Sequence, residues 1–444
     1  MNKIEMEIKV EIIKRETIKP SSLTPHHLRC FDLCLIDQLQ PIVYIPLVLF
    51  YSNHNDPLHN SHAKVADKSH KLKTSLSETL TRFYPLAGRI KDHVSIECND
   101  VGADYLEARV NCLLSDILQQ PEQKMLHFFL PEEIESLQAG TERLVLVQAS
   151  FFECGGMAIG VCISHRLADA AMISMFIKGW ADMALGSGEE VVPEFSAASR
   201  LPPRRDFSAT PPAMNLMNEK RATRRYVFDA SKIAALKAKA ASASVEQTTR
   251  IEAVTALIWK CAMTASRSNF GSPKPSMLIQ MMNIRKRVLP PFSENSFGNL
   301  VWYFGAQTRD SQTELHSLVG ELRKGKEAFT ENYATKFQGD EAFSIVGKCS
   351  EEFDNHHTTE VMDSFCFSSW CRYPLYEADF GWGKPTWVTI AGLVYKNVTV
   401  LMDTRDGSGI EAWVTLSEED MTLFQRDQEL LTFASLNPSV LDKA

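Results

Sequence analysis

A chain of 444 residues is too long for one hydrophobic core and divides into domains of roughly 150–250 residues. With 44% hydrophobic and 23% charged residues, its composition is that of an ordinary globular protein. A net charge of −8 argues against nucleic acid as the main partner, although locally gathered cations leave room for a polyanionic small ligand.

In chain order, Ile4, Met6, Ile8, Val10 and Ile12 alternate with mostly charged residues, the pattern of a half-buried strand. The same charges deny this end an apolar signal core. Pro41 to Tyr51 is the longest apolar run, but it carries two prolines and is far too short to span a bilayer. His54, His59 and His62 fall in a polar loop without metal-ligand spacing. Leu72, Leu76, Leu80 and Phe83 follow helical spacing, and Pro85 and Gly88 stop that helix. Leu144 to Ser150 reads as a strand, Glu153-Cys154-Gly155-Gly156 as a turn, and Met157 to Ile163 as a second strand. After Leu167 the spacing turns helical, with Met172, Met175, Phe176, Trp180 and Met183 on one stripe.

From Gly186 to Glu219 any periodicity is replaced by five prolines (Pro193, Pro202, Pro203, Pro211, Pro212) among Ser, Ala and Arg. Such a stretch reads as an interdomain crossover or as a disordered surface insertion. Taken as the crossover, it divides the chain into domains 1–185 and 223–444 joined by a linker at 186–222. Beyond it, Tyr226-Val227-Phe228 is a short strand and Asp229 caps a helix. Ser244-x-x-Gln247 fits a capping box ahead of Ile251, Val254, Leu257, Ile258 and Cys261. Met277 to Gln280, Trp387 to Tyr395 and Val398 to Met402 read as strands, and Glu351 to Glu360, with His356 and His357, as a solvated helix surface. Asp406-Gly407-Ser408-Gly409 turns the chain into Ile410 to Leu416, and Ser417 opens a final helix. Strands and helices interleave in both halves, so the fold class is α/β with mixed sheets. Ten scattered cysteines without a C-x-x-C pair read as reduced thiols, which makes the cytosol the expected location. No metal is expected.

The chemistry-bearing run is Ile163-Ser164-His165-Arg166-Leu167-Ala168-Asp169-Ala170. His165 falls where a strand ends and a helix begins, a place where side chains and free N–H groups face ligands. Imidazole titrates near neutrality, so His165 suits a general base; a histidine hydrogen-bonded at a strand end is the plainer reading. No G-x-S-x-G elbow occurs, and Cys162 lies inside the strand, so no covalent nucleophile suggests itself. Asp169, in the first helical turn, either orients the imidazole or turns away to pair with an arginine. Asp379-Phe380-Gly381-Trp382-Gly383 allows a tight turn with close backbone approach, and an ordinary structural turn accounts for it. Asn283-Ile284-Arg285-Lys286-Arg287 is a solvated face, a carboxylate clamp or a phosphate contact. Lys220, Arg221, Arg224 and Arg225 form a second basic stretch where an anion would dock.

Together these runs resemble the plant BAHD acyltransferases. The resemblance rests on His165-x-x-x-Asp169 followed by the Asp379–Gly383 run. It extends to Phe83-Tyr84-Pro85-Leu86-Ala87-Gly88-Arg89, Phe151-Phe152-Glu153-Cys154-Gly155-Gly156, Asn283-x-Arg285-x-Arg287, Ser368-Ser369-Trp370 and Leu401-Met402-Asp403-Thr404-Arg405, essentially the whole chain. It implies acyl transfer from a coenzyme A thioester to an alcohol or amine, with acyl-CoA (acetyl-CoA foremost) as co-substrate and no permanently bound cofactor. It implies two similar-sized, chloramphenicol-acetyltransferase-like domains with a channel at their interface, acting as a monomer away from membranes and nucleic acid. His165 matches the general base, and Asp169 a supporting aspartate paired with Arg285. Asp379, Gly381 and Gly383 match a structural motif that shapes the coenzyme channel. Ser368 and Trp370 match residues near the tetrahedral oxyanion. Residues that bind the coenzyme are left unassigned.

The Phe151–Gly156 run and Ser296-Phe297-Gly298-Asn299-Leu300 look like the acetyl-transferring branch, which acts on alkaloid and terpenoid alcohols. Ser296 and Leu300 stand where malonyl-transferring members carry Tyr and Cys. O-acetyl transfer to a plant specialised metabolite is therefore the expected activity. The alternatives are a hydroxycinnamoyl, benzoyl or other acyl-CoA transferase on the same fold, and a metabolite-binding relative without turnover. Ser164 and Ala170 count against a carrier-protein condensation domain, which has histidine and glycine in those places.

Overall fold

Two mixed sheets organise the chain, and their junction places the histidine corner. The computed structural model describes residues 8–53, 62–188, 190–206, 220–242, 245–271, 274–309, 314–348 and 362–441. Ile4, Met6, His54, His59, Pro211, Pro212, Ser244 and the 351–360 run lie outside the described residues.

The first sheet has six strands in the order Val10–Ile18, Ala103–Val110, Val145–Phe152, Met157–Ser164, Tyr44–Tyr51 and Trp387–Thr389. Its central strands Val145–Phe152, Met157–Ser164 and Tyr44–Tyr51 are buried along their whole length, which explains their unbroken apolar character. The edge strand Val10–Ile18 alternates half-buried and exposed positions, as its charge pattern requires. Two helices, His62–Arg82 and Ala170–Leu185, cover this sheet through Leu72, Leu76, Leu80, Phe176 and Trp180. The Trp180 indole locks them together by donating to the Leu72 carbonyl (3.2 Å) and the Ser75 hydroxyl (3.0 Å). His62, expected in a loop, opens the first of these helices.

The second sheet has seven strands in the order Val301–Thr308, Ser276–Asn283, Asp363–Ser369, Val398–Asp403, Ile410–Ser417, Arg221–Phe228 and Ser435–Leu436. Its apolar face is filled mainly by the helices Ala230–Ala240, Arg250–Phe270 and Leu315–Asn332. Asp229 caps the first of these helices, accepting from Lys232 N at 2.9 Å. The second is capped by Thr249 with Glu252, whose carboxylate accepts from Thr249 N at 2.8 Å, and not by the Ser244–Gln247 box. Gln247 takes φ +50°, outside the helical region, so the chain becomes helical only after Thr249.

The Trp387–Tyr395 run departs further from its reading. Only Trp387–Thr389 is strand, and it joins the first sheet, pairing Trp387 with Phe50 and stacking the two rings 5.4 Å apart. Gly392 at φ +140° takes a conformation that side chains rarely adopt, and a Cβ there would meet Gln123 Nε2 at 2.7 Å. The chain therefore leaves the sheet and runs as an irregular wall beside the histidine corner. This strand exchange ties the two halves together.

Candidate active site

His165 directly follows the Met157–Ser164 strand, and its backbone N–H donates to the Val43 carbonyl at 3.0 Å. Neighbouring groups hold the corner: Ser164 Oγ bonds the Ala139 carbonyl, and the buried Arg166 guanidinium donates to the Gln38 carbonyl at 2.8 Å. The imidazole lines a cavity, whereas its Nδ1 is enclosed and has no hydrogen-bond partner among the described residues. That leaves Nε2 to meet a ligand. Burial pushes the imidazole pKa below its usual value, against opposing pulls from its own backbone, the Asp169 charge, the Asn299 side chain and the Ala168 backbone, so the ring is neutral at neutral pH.

Asp169 is the N-cap of the Ala170–Leu185 helix and accepts from Met172 N at 2.8 Å. Its other contacts choose between the two readings of the motif. Arg285 donates to Asp169 Oδ2 at 2.8 Å and to Oδ1 at 3.2 Å, and Leu300 N donates to Oδ2 at 2.9 Å. The same guanidinium donates to the Ser296 carbonyl (2.9 Å) and the Gly298 carbonyl (3.0 Å), and Ala168 pairs with Gly298 in a short parallel bridge. The aspartate thus faces Arg285 as a brace between the halves. Arg285 is consumed by this clamp, while Lys286 meets Glu294 and Arg287 bonds the Asn283 carbonyl on the surface.

The second basic run divides in the same way. Arg225 is buried against Glu411, with bonds of 2.7 and 2.9 Å, and Arg221 meets Glu135 at 2.9 Å. Each run thus spends its buried arginine on an internal carboxylate.

Two further residues shape the site without having been given a role in it from the sequence, although Asn299 stands in the Ser296–Leu300 run. Asp37, buried in the short Leu35–Leu39 helix, accepts from Asn299 N (2.7 Å) and Asn299 Nδ2 (2.8 Å), and Asn299 Nδ2 also donates to the His165 carbonyl at 2.8 Å. Burial raises the Asp37 pKa, and the Asn299 donors pull it back down. Gly298 makes this approach possible: at φ +102° it brings Asp37 Oδ2 within 3.2 Å of where a Cβ would stand. The available signals were a lone acid, Asp37, in a mostly apolar stretch and the Ser296–Leu300 run that contains Asn299.

The cavity has a volume of about 260 Å³. Ser368 and Trp370 both line it with His165, at the end of the Asp363–Ser369 strand and just beyond. Aliphatic side chains such as Ile45, Met281, Ile390, Leu393 and Val394 form most of its remaining wall. Cys366 also lines it, but burial pushes its thiol up to about 12, so it stays protonated.

Asp379, Gly381 and Gly383 do not line this cavity. Asp379 Oδ1 accepts from Gly381 N (2.7 Å) and Gly383 N (3.0 Å), and both glycines take φ near +100°. This turn presents Phe380 to Trp180, ring centres 4.9 Å apart, so it is anchored to the helix that Asp169 caps. Among the described residues no group of three His, Cys, Asp or Glu is placed to hold a metal ion. None of their helices is long and apolar enough to cross a membrane.

A family model described as the Transferase family matches residues 8–431. The epi-neemfruitin B 7-O-acetyltransferase of Melia azedarach is 38% identical, over 97% of this chain and 99% of its own. The BAHD acyltransferase BIA1 of Arabidopsis thaliana is 39% identical over 98% of this chain and all (100%) of its own. Among solved structures, vinorine synthase superposes with a TM-score of 0.83 at 34% identity, covering 97% of this chain and 100% of that one. The likeness bears out the mixed α/β fold expected from the sequence.

Proposed function

This chain belongs to the Transferase family, that of the BAHD acyltransferases, and on that premise we propose how its corner histidine carries out the transfer. The substrate pair is an acyl-CoA thioester, acetyl-CoA first, and a hydroxyl of a terpenoid or alkaloid alcohol. The acetyltransferase name of the Melia relative supports the acetyl donor.

In this mechanism His165 Nε2 takes the proton of the acceptor hydroxyl, and the oxygen attacks the thioester carbonyl. Ser368 Oγ and the Trp370 indole N–H stabilise the tetrahedral oxyanion. Collapse breaks the C–S bond, and the coenzyme thiolate recovers the proton from His165. The protonated Cys366 argues for direct transfer, with no acyl-enzyme. Asp169 and Arg285 hold the corner and do not touch the reacting atoms, and the Asp379–Gly383 turn steadies the helix behind it. The domain division at 186–222 belongs to this reading, with Trp387–Thr389 lent back to the first sheet. So do a cytosolic location and a monomeric state.

The observation that carries the proposal is a half-buried imidazole, kept neutral by desolvation at the wall of an apolar cavity, on a corner fixed by a buried ion pair. The test is a panel of acyl-CoA donors against alcohol and amine acceptors, read by thiol release and by mass spectrometry of the product. O-acetylated product lost in His165→Ala is the expected result. A larger acyl group or an N-acylated product would reassign the substrate pair. Full activity in His165→Ala would remove the histidine from the chemistry.

A further inference from the structure

We infer that the cavity admits its acceptor only as an uncharged molecule: a neutral polycyclic alcohol, or an amine-bearing alcohol in its free-base form. The inference rests on the reading of the His165 cavity as the acceptor site.

It starts from what the cavity lacks. Among its described lining residues the sole carboxylate is Asp169. Both oxygens of Asp169 are taken: Oδ1 by Met172 N and Arg285 Nη2, Oδ2 by Leu300 N and Arg285 Nη1. Its charge is paired with a guanidinium that is itself buried. Of the two amides in the wall, Asn283 spends its oxygen on Arg285 and its NH2 group on the Tyr373 hydroxyl, and Gln40 donates to the Ile36 carbonyl. Glu135, whose charge reaches Tyr395, is bound to Arg221 at 2.9 Å.

An ammonium entering this space would shed its hydration and find no free anion among the described residues. The rings of Trp370, Tyr373 and Tyr395 offer it π-faces, but a ring face returns only a small part of what desolvating a full charge costs. An uncharged polycycle has no such cost and gains from covering the aliphatic wall. A cation would also sit beside an imidazole that must accept a proton, where like charge opposes the step.

The titratable lining groups make the inference testable by pH. Burial pushes Tyr373, Tyr395 and Cys366 each up to about 12 and raises Tyr44 further, while it lowers His165. Between about pH 7 and 9 none of these groups changes charge, so any dependence in that window belongs to the acceptor.

The experiment compares three acceptors with acetyl-CoA on the unmodified enzyme: a neutral polycyclic alcohol, a tertiary-amine polycyclic alcohol, and its N-methyl quaternary derivative. With the neutral alcohol kcat/KM should be flat across the window. With the tertiary amine it should rise about tenfold per pH unit until the amine's own pKa is passed. The quaternary derivative should be at least tenfold poorer than its free-base parent. A quaternary acceptor as good as the parent, or a pH-independent kcat/KM for the amine, would overturn the inference. Val394→Asp, which adds a carboxylate to the wall away from the proposed machinery, should improve the quaternary acceptor relative to the neutral one. If no acceptor releases coenzyme A thiol, the acyltransfer reading itself fails, and calorimetric binding of the same three compounds then decides. Preference for the neutral compound would still support the inference, and equal binding of the quaternary one would end it.

Discussion

Two buried arginine–carboxylate pairs hold the halves of this molecule, and they differ in what they hold. Arg285–Asp169 and Arg225–Glu411 are almost equally dry, with side chains 1% and 6% exposed in the first and 3% and 6% in the second. The first reaches across the junction of the sheets, whereas the second joins adjacent strands of the second sheet and meets the junction only through Trp387. Arg285, just past the end of Ser276–Asn283, reaches the cap of the Ala170–Leu185 helix. Glu411 in the second sheet accepts from the indole of Trp387, lent to the first sheet, at 3.2 Å, and Arg225 lies 5.2 Å from that ring. Yet Asp169 is four residues from His165, whereas the partners of Glu411, Arg225 and Trp387, do not line the cavity. The same chemistry thus serves assembly alone in one place, and assembly plus the pose of a base in the other.

The sharpest way to separate chemistry from support is to remove the base itself. His165→Ala should lower kcat/KM by about 10²–10⁴-fold with the melting temperature nearly unchanged, because the imidazole lines the cavity instead of filling the core. Thiol release and a thermal melt on one preparation check both halves. Loss of folding together with activity would make His165 a structural residue.

Asp169→Ala and Glu411→Ala test the comparison directly. Each leaves a buried guanidinium without its partner, so each should cost about 3–5 kcal/mol of stability by denaturant titration. The turnover of the molecules that remain folded should differ. Glu411→Ala at low temperature should keep near-native kcat per folded molecule, and Asp169→Ala should lose most of it as the corner slackens. Equal turnover losses would erase the distinction between the pairs.

Much of the first pair was legible because its parts are local. A strand, a Gly-Gly turn and a second strand deliver His165 to a helix start, and the 3.6-residue stripe of Met172, Phe176 and Trp180 marks that helix plainly. Whether Asp169 turns toward or away from the imidazole is a side-chain direction, which spacing alone left open. The Asp37–Asn299 link was invisible for a different reason: its partners are 262 residues apart, Asp37 stands in no motif, and the Ser296–Leu300 run that holds Asn299 marks a branch of the family without showing what its amide bonds. The Trp387–Tyr395 reading failed after Thr389, where apolar content continued but strand pairing did not, and Gly392 at φ +140° keeps the chain from resuming it. Hydrophobicity reports burial, and a single left-handed residue decides whether buried chain is strand or wall.

Asn299 offers a milder break in the first region. Its amide joins Asp37 to the carbonyl of His165, so Asn299→Ala should cost about 1–3 kcal/mol through the acceptors it leaves unpaired. If the link positions the base, kcat should fall more than KM rises, and Asn299→Asp should not restore it. A pure rise in KM would place Asn299 in binding.

The smallest expected effect is the most specific to the pair beside the base. Burial holds the His165 pKa below its unfolded value of about 6.5, so protons favour the unfolded chain. The stability linked to His165 is therefore complete above about pH 6.5 and declines as pH falls toward the folded value. Turnover of a neutral acceptor follows the same sign, level above neutrality with an acid limb below 6.5 that marks protonation of the base. The Asp169 charge raises that pKa against burial. Asp169→Asn removes the charge and leaves the Arg285 cation nearby, so the limb should move to still lower pH even as the rate falls. Glu411→Gln, which touches neither the imidazole nor its brace, should leave the limb in place. A limb that moves equally in both variants would mean that the two pairs act on the histidine through the fold as a whole; one that moves in Asp169→Asn alone makes the first pair an electrostatic partner of the base as well as its brace.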